Sequence, residues 1–171
     1  MAGAKVVWKA RVQPRVRFFA WLALQDRCWT AERRQRHGLQ ETDDCALCDQ
    51  AVETMEHLLT KCPFVSEIWF KIFSALGWIS RLPPPNMSFL DWWLRERKGF
   101  GKLPRRGFDA LLLLVAWMER NDRVFRGKAS SLRGLLKRMV EEANLWALAG
   151  VVDIDLLLAG VVASSWSQMG L

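Results

Sequence analysis

Three cysteines and one histidine in the spacing Cys-x2-Cys-x8-His-x4-Cys, at Cys45, Cys48, His57 and Cys62, constrain this chain more than any other feature. Two cysteines separated by two residues fit a tight turn whose sulfurs converge on one point. A histidine and a cysteine on the following helix can supply the other two corners of a tetrahedron. Thiolate and imidazole donors suit zinc, so the spacing predicts one Zn2+ ion held by these four residues. Three sulfurs and one nitrogen complete four-coordination and leave no position for water, which disfavours a catalytic metal. The competing reading is a set of reduced core cysteines beside an unrelated histidine. It suits a lone Cys-x2-Cys but not one with a matching His-x4-Cys. Cys28, between Arg27 and Trp29, reads as a small core residue, and His37, before Gly38, as a surface or capping residue.

Disulfides are the other use of clustered cysteines, and nothing in the sequence suggests export. Met1 is followed by Ala-Gly-Ala-Lys-Val-Val-Trp, with no apolar signal core. The expected setting is intracellular and reducing, where clustered Cys and His favour metal. The longest apolar run, Ala110 to Met118, stops at Glu119, and the C-terminal apolar stretch is broken by Asp153 and Asp155. Neither is long enough to span a bilayer, so no membrane partner is expected.

Around the metal motif the sequence reads as helices. Pro14 can open a helix through Phe18, Phe19, Trp21, Leu22 and Leu24, apolar around nearly its whole circumference and so expected to be buried. Thr30 is a candidate N-cap for a short polar turn over 31–36 closed by Gly38. Thr54 can cap a second short helix that must end near Cys62, because Pro63 follows. From Pro63 a third helix places Phe64, Ile68, Ile72 and Leu76 at helical spacing, widened by Trp69 and Phe73. Pro83-Pro84-Pro85 marks a linker. Ser88 with Asp91 resembles a capping arrangement before Trp92 and Trp93. Helices over 106–125, ended by Gly127, and 131–149 follow. No useful strand alternation appears. The expected class is all-α, a helical domain with a Cys-Cys-His-Cys zinc knuckle followed by a helical C-terminal extension. Its divisions are 6–78 for the zinc-binding domain, 79–87 for the linker, 88–150 for the helical region and 151–171 for an apolar tail.

The ordered set Trp8-Lys9, Pro14-x-Val16-Arg17-Phe18-Phe19-Ala20-Trp21-Leu22, Arg27-x-x-Thr30, Cys45-x-x-Cys48, Glu53-Thr54-x-x-His57-Leu58 and Cys62-Pro63-Phe64-x4-Trp69 resembles the zinc-binding domain of plant reverse transcriptases. That domain lies C-terminal to the polymerase in non-LTR, LINE-type retrotransposons. The resemblance covers about 6–78. Glu119-Arg120-Asn121-x-Arg123-Val124-Phe125 and Ala143-x-x-Trp146 are similar to the helical region that commonly follows. It implies zinc binding and nucleic-acid contact within a retrotransposition complex. It does not imply polymerase chemistry, which needs metal-binding carboxylates on a palm sheet. Asp43-Asp44 has no strand context and reads as part of the knuckle loop. With no phosphate loop or nucleophile elbow either, no enzyme activity and no small-molecule substrate are expected.

Charge then decides where a polyanion would bind. Of the formal +7, residues 1–38 carry +7, residues 39–70 carry −6 and residues 71–171 carry +6. Phosphates would be repelled by Asp43, Asp44, Asp49 and Glu56 around the metal. Contact with RNA or single-stranded DNA is therefore expected through Arg11, Arg15, Arg17, Arg33, Arg34 and Arg36, with Trp8 or Trp29 stacking on a base where exposed. Arg95, Arg97, Lys98, Lys102, Arg105 and Arg106 form a second basic stretch, equally readable as a solvated loop. Two other readings remain at this point. One is a zinc-stabilised module that docks on a polymerase or another protein through Trp92 and Trp93; the other is a truncated retroelement copy with no independent role.

Overall fold

The computed structural model describes residues 14–75, 77–99 and 117–148. Helix α1 spans Pro14–Leu24 and α2 spans Ala31–Arg36. A π-helical turn occupies His57–Lys61 and runs directly into α3, Pro63–Ala75. After a 3-10 turn at Ile79–Arg81 come α4, Phe89–Gly99, then helical residues 117–126, named α5, and α6, Leu132–Leu148. Among the described residues the fold is all-α. Among the described residues the one extended pairing is an isolated antiparallel bridge between Asp44 and Val52.

Short-range chemistry sets most of these boundaries. The Thr30 hydroxyl accepts the Arg33 amide at 3.4 Å, and Gly38 takes φ +68°, closing α2. The Thr54 hydroxyl accepts the His57 amide at 2.9 Å. Cys62 is extended, with φ −63° and ψ 127°, as a residue before proline must be. The Ser88 hydroxyl accepts the Asp91 amide at 3.1 Å and donates to its carboxylate at 2.7 Å. Gly127 takes φ +60° past the end of α5, whose expected start near Arg106 lies outside the described residues.

One buried cluster unites the elements. It includes Phe19, Ala20 and Ala23 of α1, with Phe19 stacked on Trp117 of α5 at 4.7 Å, and Val65, Ile68, Trp69, Ile72 and Phe73 of α3. Phe89, Trp92 and Trp93 of α4 and Leu135 and Met139 of α6 join them. Trp69 and Trp92 pack edge to face with centroids 5.5 Å apart, and their indole N–H groups donate to Leu59 O at 3.0 Å and Arg81 O at 2.9 Å. This packing runs across the Pro83–Pro85 segment, which lies against the knuckle. The Lys61 ammonium donates to the carbonyls of Pro85 at 2.6 Å and Met87 at 3.0 Å, and Glu56 Oε2 accepts the Phe89 amide at 2.7 Å.

Two expectations need correction. Trp92 and Trp93 are 0% and 1% exposed, so they form core and no docking surface. Helix α1 is not buried all round: Phe18 is 53% exposed, while Phe19, Ala20 and Ala23 are buried and Trp21, Leu22 and Leu24 pack half-buried against the core.

Candidate metal centre

Backbone geometry brings the four spaced residues together. Residues 46–48 form a tight turn in which the Cys48 amide donates to Cys45 O at 3.2 Å, and Asp49, at φ +53°, leads the chain away. The Asp44–Val52 bridge and the Cys45 amide on Ala51 O, 2.9 Å, close the loop. His57 and Cys62 come from the next element, and its π winding matters. At about 3.6 residues per α-helical turn, residues five apart face directions roughly 140° different. The wider turn, closed by the Cys62 amide on His57 O at 2.7 Å, brings the two side chains round to one side.

The ligand atoms of Cys45, Cys48, His57 and Cys62 all lie within 4.8 Å of one another. Cys45 Sγ stands 4.0 Å from Cys62 Sγ, and Cys48 Sγ 3.3 Å from His57 Nε2. A tetrahedral zinc site with ordinary bond lengths needs donor separations of roughly 3.5–3.8 Å, which this set meets with small adjustments. Cys45 and Cys62 are fully buried. Local charge follows the same design. Burial holds the His57 imidazole below its usual pKa, toward the neutral form that a ligand requires, while Glu53 opposes that shift. Cys62 is lowered by the hydrogen bond from Cys45, against burial, and by the amides of Val65 and Phe64 at the start of α3. Cys45 is raised by that same contact and by burial, and Cys48 is raised by burial.

Behind the ligands lies a set of buried ions for which the sequence reading assigned no role. Glu53, 0% exposed, accepts the Ala31 amide at the start of α2 at 2.7 Å. It also accepts Arg120 Nη2 at 2.8 Å and Nε at 3.0 Å. Arg120 is itself fully buried, so the pair is desolvated on both sides and hydrogen-bonded on both. Glu119 accepts Arg123 Nε at 2.9 Å and the Ser130 amide at 2.7 Å. The i,i+4 spacing of Glu119 and Arg123 is a sequence signal for that pair. The reach from Arg120 to Glu53, across 67 positions, is not.

The residues expected to contact nucleic acid are placed unevenly. Arg11 lies outside the described residues, as does Trp8; Arg15 is on α1, where its side chain is not among those described. Arg17 is half-buried on α1. Arg33, Arg34 and Arg36 stand together on α2, Arg36 paired with Glu32. Of the second basic stretch, Arg95 pairs with Glu96 at 2.8 Å, and Lys102, Arg105 and Arg106 lie outside the described residues. Cys28 is core as expected, its thiol pushed up to about 12 mainly by burial and by Asp26.

Residues 2–69 match the family described as zinc-binding in reverse transcriptase. This segment is similar to reverse-transcriptase zinc-binding domains. The family and the Cys3His cluster agree on the cofactor, one zinc ion. The zinc-binding domain is a metal-binding region and not the catalytic part of a reverse transcriptase. An Arabidopsis thaliana protein named "putative ribonuclease H protein" is 29% identical over 143 residues, covering 80% of this chain and 22% of its own length. The chain thus spans about a fifth of the relative that it matches. No solved structure matches. Among the described residues no helix is long and apolar enough to cross a membrane.

Proposed function

We propose that Cys45, Cys48, His57 and Cys62 hold the zinc ion in a closed structural site. In this reading the region is a non-catalytic accessory domain of a retroelement reverse transcriptase that contacts RNA or single-stranded DNA through basic residues beside the knuckle. When bound, the ion cross-links the 45–48 turn to the π turn and the start of α3, and the four donors leave no open position.

The observation that carries the nucleic-acid reading is the grouping of cations and aromatic rings on and beside α2. Trp29 is 47% exposed, with the Arg33 guanidinium 5.5 Å over its ring and His37 edge-on at 5.3 Å. Arg34 stands 5.3 Å over Phe125, which is also exposed. Cations supply phosphate neutralisation and the rings supply stacking faces, the two ingredients of sequence-tolerant single-strand binding. The acidic loop turns phosphates away from the metal, and α2 presents the opposite sign. Arg11, Arg15 and Arg17 belong to the same proposed surface on the strength of charge alone.

The test is a titration of labelled single-stranded RNA and DNA at several salt concentrations. In the native chain, the three arginines of α2 should contribute roughly 2 to the salt slope, since each phosphate contact contributes about 0.7 for single strands. Changing Arg33, Arg34 and Arg36 together to Glu is expected to abolish measurable binding while zinc content stays at one per chain. Unchanged affinity in that variant would remove this surface. Salt-insensitive association with a polymerase and no nucleic-acid affinity would favour the protein-interaction reading, which no longer has Trp92 and Trp93 to rely on.

A further inference from the structure

Helix α5 lies outside the segment matched as a zinc-binding domain, yet Arg123 on that helix reaches the knuckle. Its Nη1 stands 3.3 Å from the Ala46 carbonyl and 3.2 Å from the Leu47 carbonyl, the two residues between the paired cysteines. Each carbonyl shares a peptide group with the next residue's amide. The Ala46 carbonyl is joined to the Leu47 N–H, and the Leu47 carbonyl to the Cys48 N–H. Those two amides favour the thiolate of Cys45, and the Cys48 amide also donates to Cys45 O at 3.2 Å. One guanidinium therefore grips, from the oxygen side, both peptide groups whose nitrogen side faces a metal-ligand sulfur.

Arg123 is held in place for this. Glu119, 0% exposed, takes its Nε at 2.9 Å, and its guanidinium carbon lies 4.6 Å above the centre of the Phe64 ring. The Phe64 amide in turn faces the Cys62 sulfur. Arg123 thus touches both halves of the centre, the 45–48 turn directly and the start of α3 through Phe64. Hydrogen bonds in series polarise one another, so a cation on the carbonyls strengthens the amide donors at the sulfur and fixes the planes that carry them. Groups that orient metal ligands typically change metal affinity about 10–100-fold when removed.

We propose that Arg123 is a positioning residue of the metal centre, acting through the peptide groups 46–47 and 47–48 to slow zinc release from Cys45. The proposal rests on the four-ligand reading, and the experiment separates the two. In the full chain, bound zinc and the rate of zinc transfer to an excess of chelator are measured for the native protein, Arg123→Met, Arg123→Lys and Trp92→Ala. The Trp92→Ala variant is the control for lost stability, because its cavity lies among α3 and α4. The charge-transfer bands of the cobalt-substituted proteins report the sulfur donors directly.

One zinc per chain is expected throughout. Release should be about 10–100-fold faster in Arg123→Met, with shifted cobalt bands. It should be intermediate in Arg123→Lys, which keeps the charge but loses the fork, and native-like in Trp92→Ala. Unchanged release and bands in a folded Arg123→Met would overturn the proposal. So would acceleration in Trp92→Ala equal to that in Arg123→Met, which would mean that release follows overall stability. Should Arg123→Met precipitate, Arg123→Lys decides, and a native rate and spectrum there overturn the proposal. A native chain without zinc would defeat the four-ligand reading itself.

Discussion

The knuckle over 43–62 and the aromatic layer between α3 and α4 lie side by side and are held together by different physics. The knuckle gathers three thiols, an imidazole and a buried carboxylate at Glu53 beside its own buried Leu47, Met55, Leu58 and Leu59. The aromatic layer is Trp69, Phe73, Phe89, Trp92 and Trp93, packed at ring distances of 5.4–6.5 Å where measured and with little charge. Apolar packing is spread over many weak contacts and tolerates the loss of any one. Ligation and buried ion pairs concentrate the same duty in a few groups, whose removal leaves the others uncompensated. The two designs should therefore fail differently.

The largest expected contrast comes from removing the metal. Structural zinc sites contribute on the order of 10–16 kcal/mol of apparent binding energy in small domains. Chelation, or Cys62→Ser, should therefore abolish hydrogen-exchange protection over 45–62. The amides of α3 and α4 should stay protected. Uniform loss in both regions would show that the molecule is one cooperative unit, and the contrast would be broken. Trp92→Ala makes the opposite cut, with an expected loss of about 3–5 kcal/mol in urea unfolding and no change in zinc per chain. Zinc lost along with stability would show that the aromatic layer supports the knuckle.

The smallest expected effect sharpens the boundary at Cys28. Its thiol has a folded pKa raised from 9.0 to about 12, so the unfolded chain loses this proton first as pH rises. The contribution is fully present below pH 9 and declines as pH moves from 9 toward 12. Comparing native and Cys28→Ala chains by denaturation at several alkaline pH values isolates it. Parallel curves would assign Cys28 to solvent and not to the core. The same burial should keep it slower to alkylate than a free thiol.

Much of this architecture was legible residue by residue. Thr30, Gly38, Thr54, Pro63, Ser88 and Gly127 fix helix ends through bonds to near neighbours, so their positions in the chain carry their meaning. The candidate metal set was legible in part: a turn converts the Cys45–Cys48 spacing into geometry, whereas the π winding that brings His57 and Cys62 to one side does not follow from an ordinary helical pitch. Trp92 and Trp93 were not, because an aromatic pair reads alike whether it meets solvent or another helix. Phe18 and Phe19 are adjacent and apolar, yet one is exposed and the other buried, since only tertiary packing chooses which face of α1 meets the core.

The sequence by itself determined the helical class, the caps and the four candidate ligands, all products of short-range stereochemistry. Only the tertiary structure decided which charges are buried. Glu53 with Arg120, and Arg123 with the carbonyls of Ala46 and Leu47, join positions 67 to 77 residues apart. Such pairs depend on desolvation by surroundings that no local pattern encodes. The knuckle's spacing was written in one stretch of chain, and the arginines that brace it came from another.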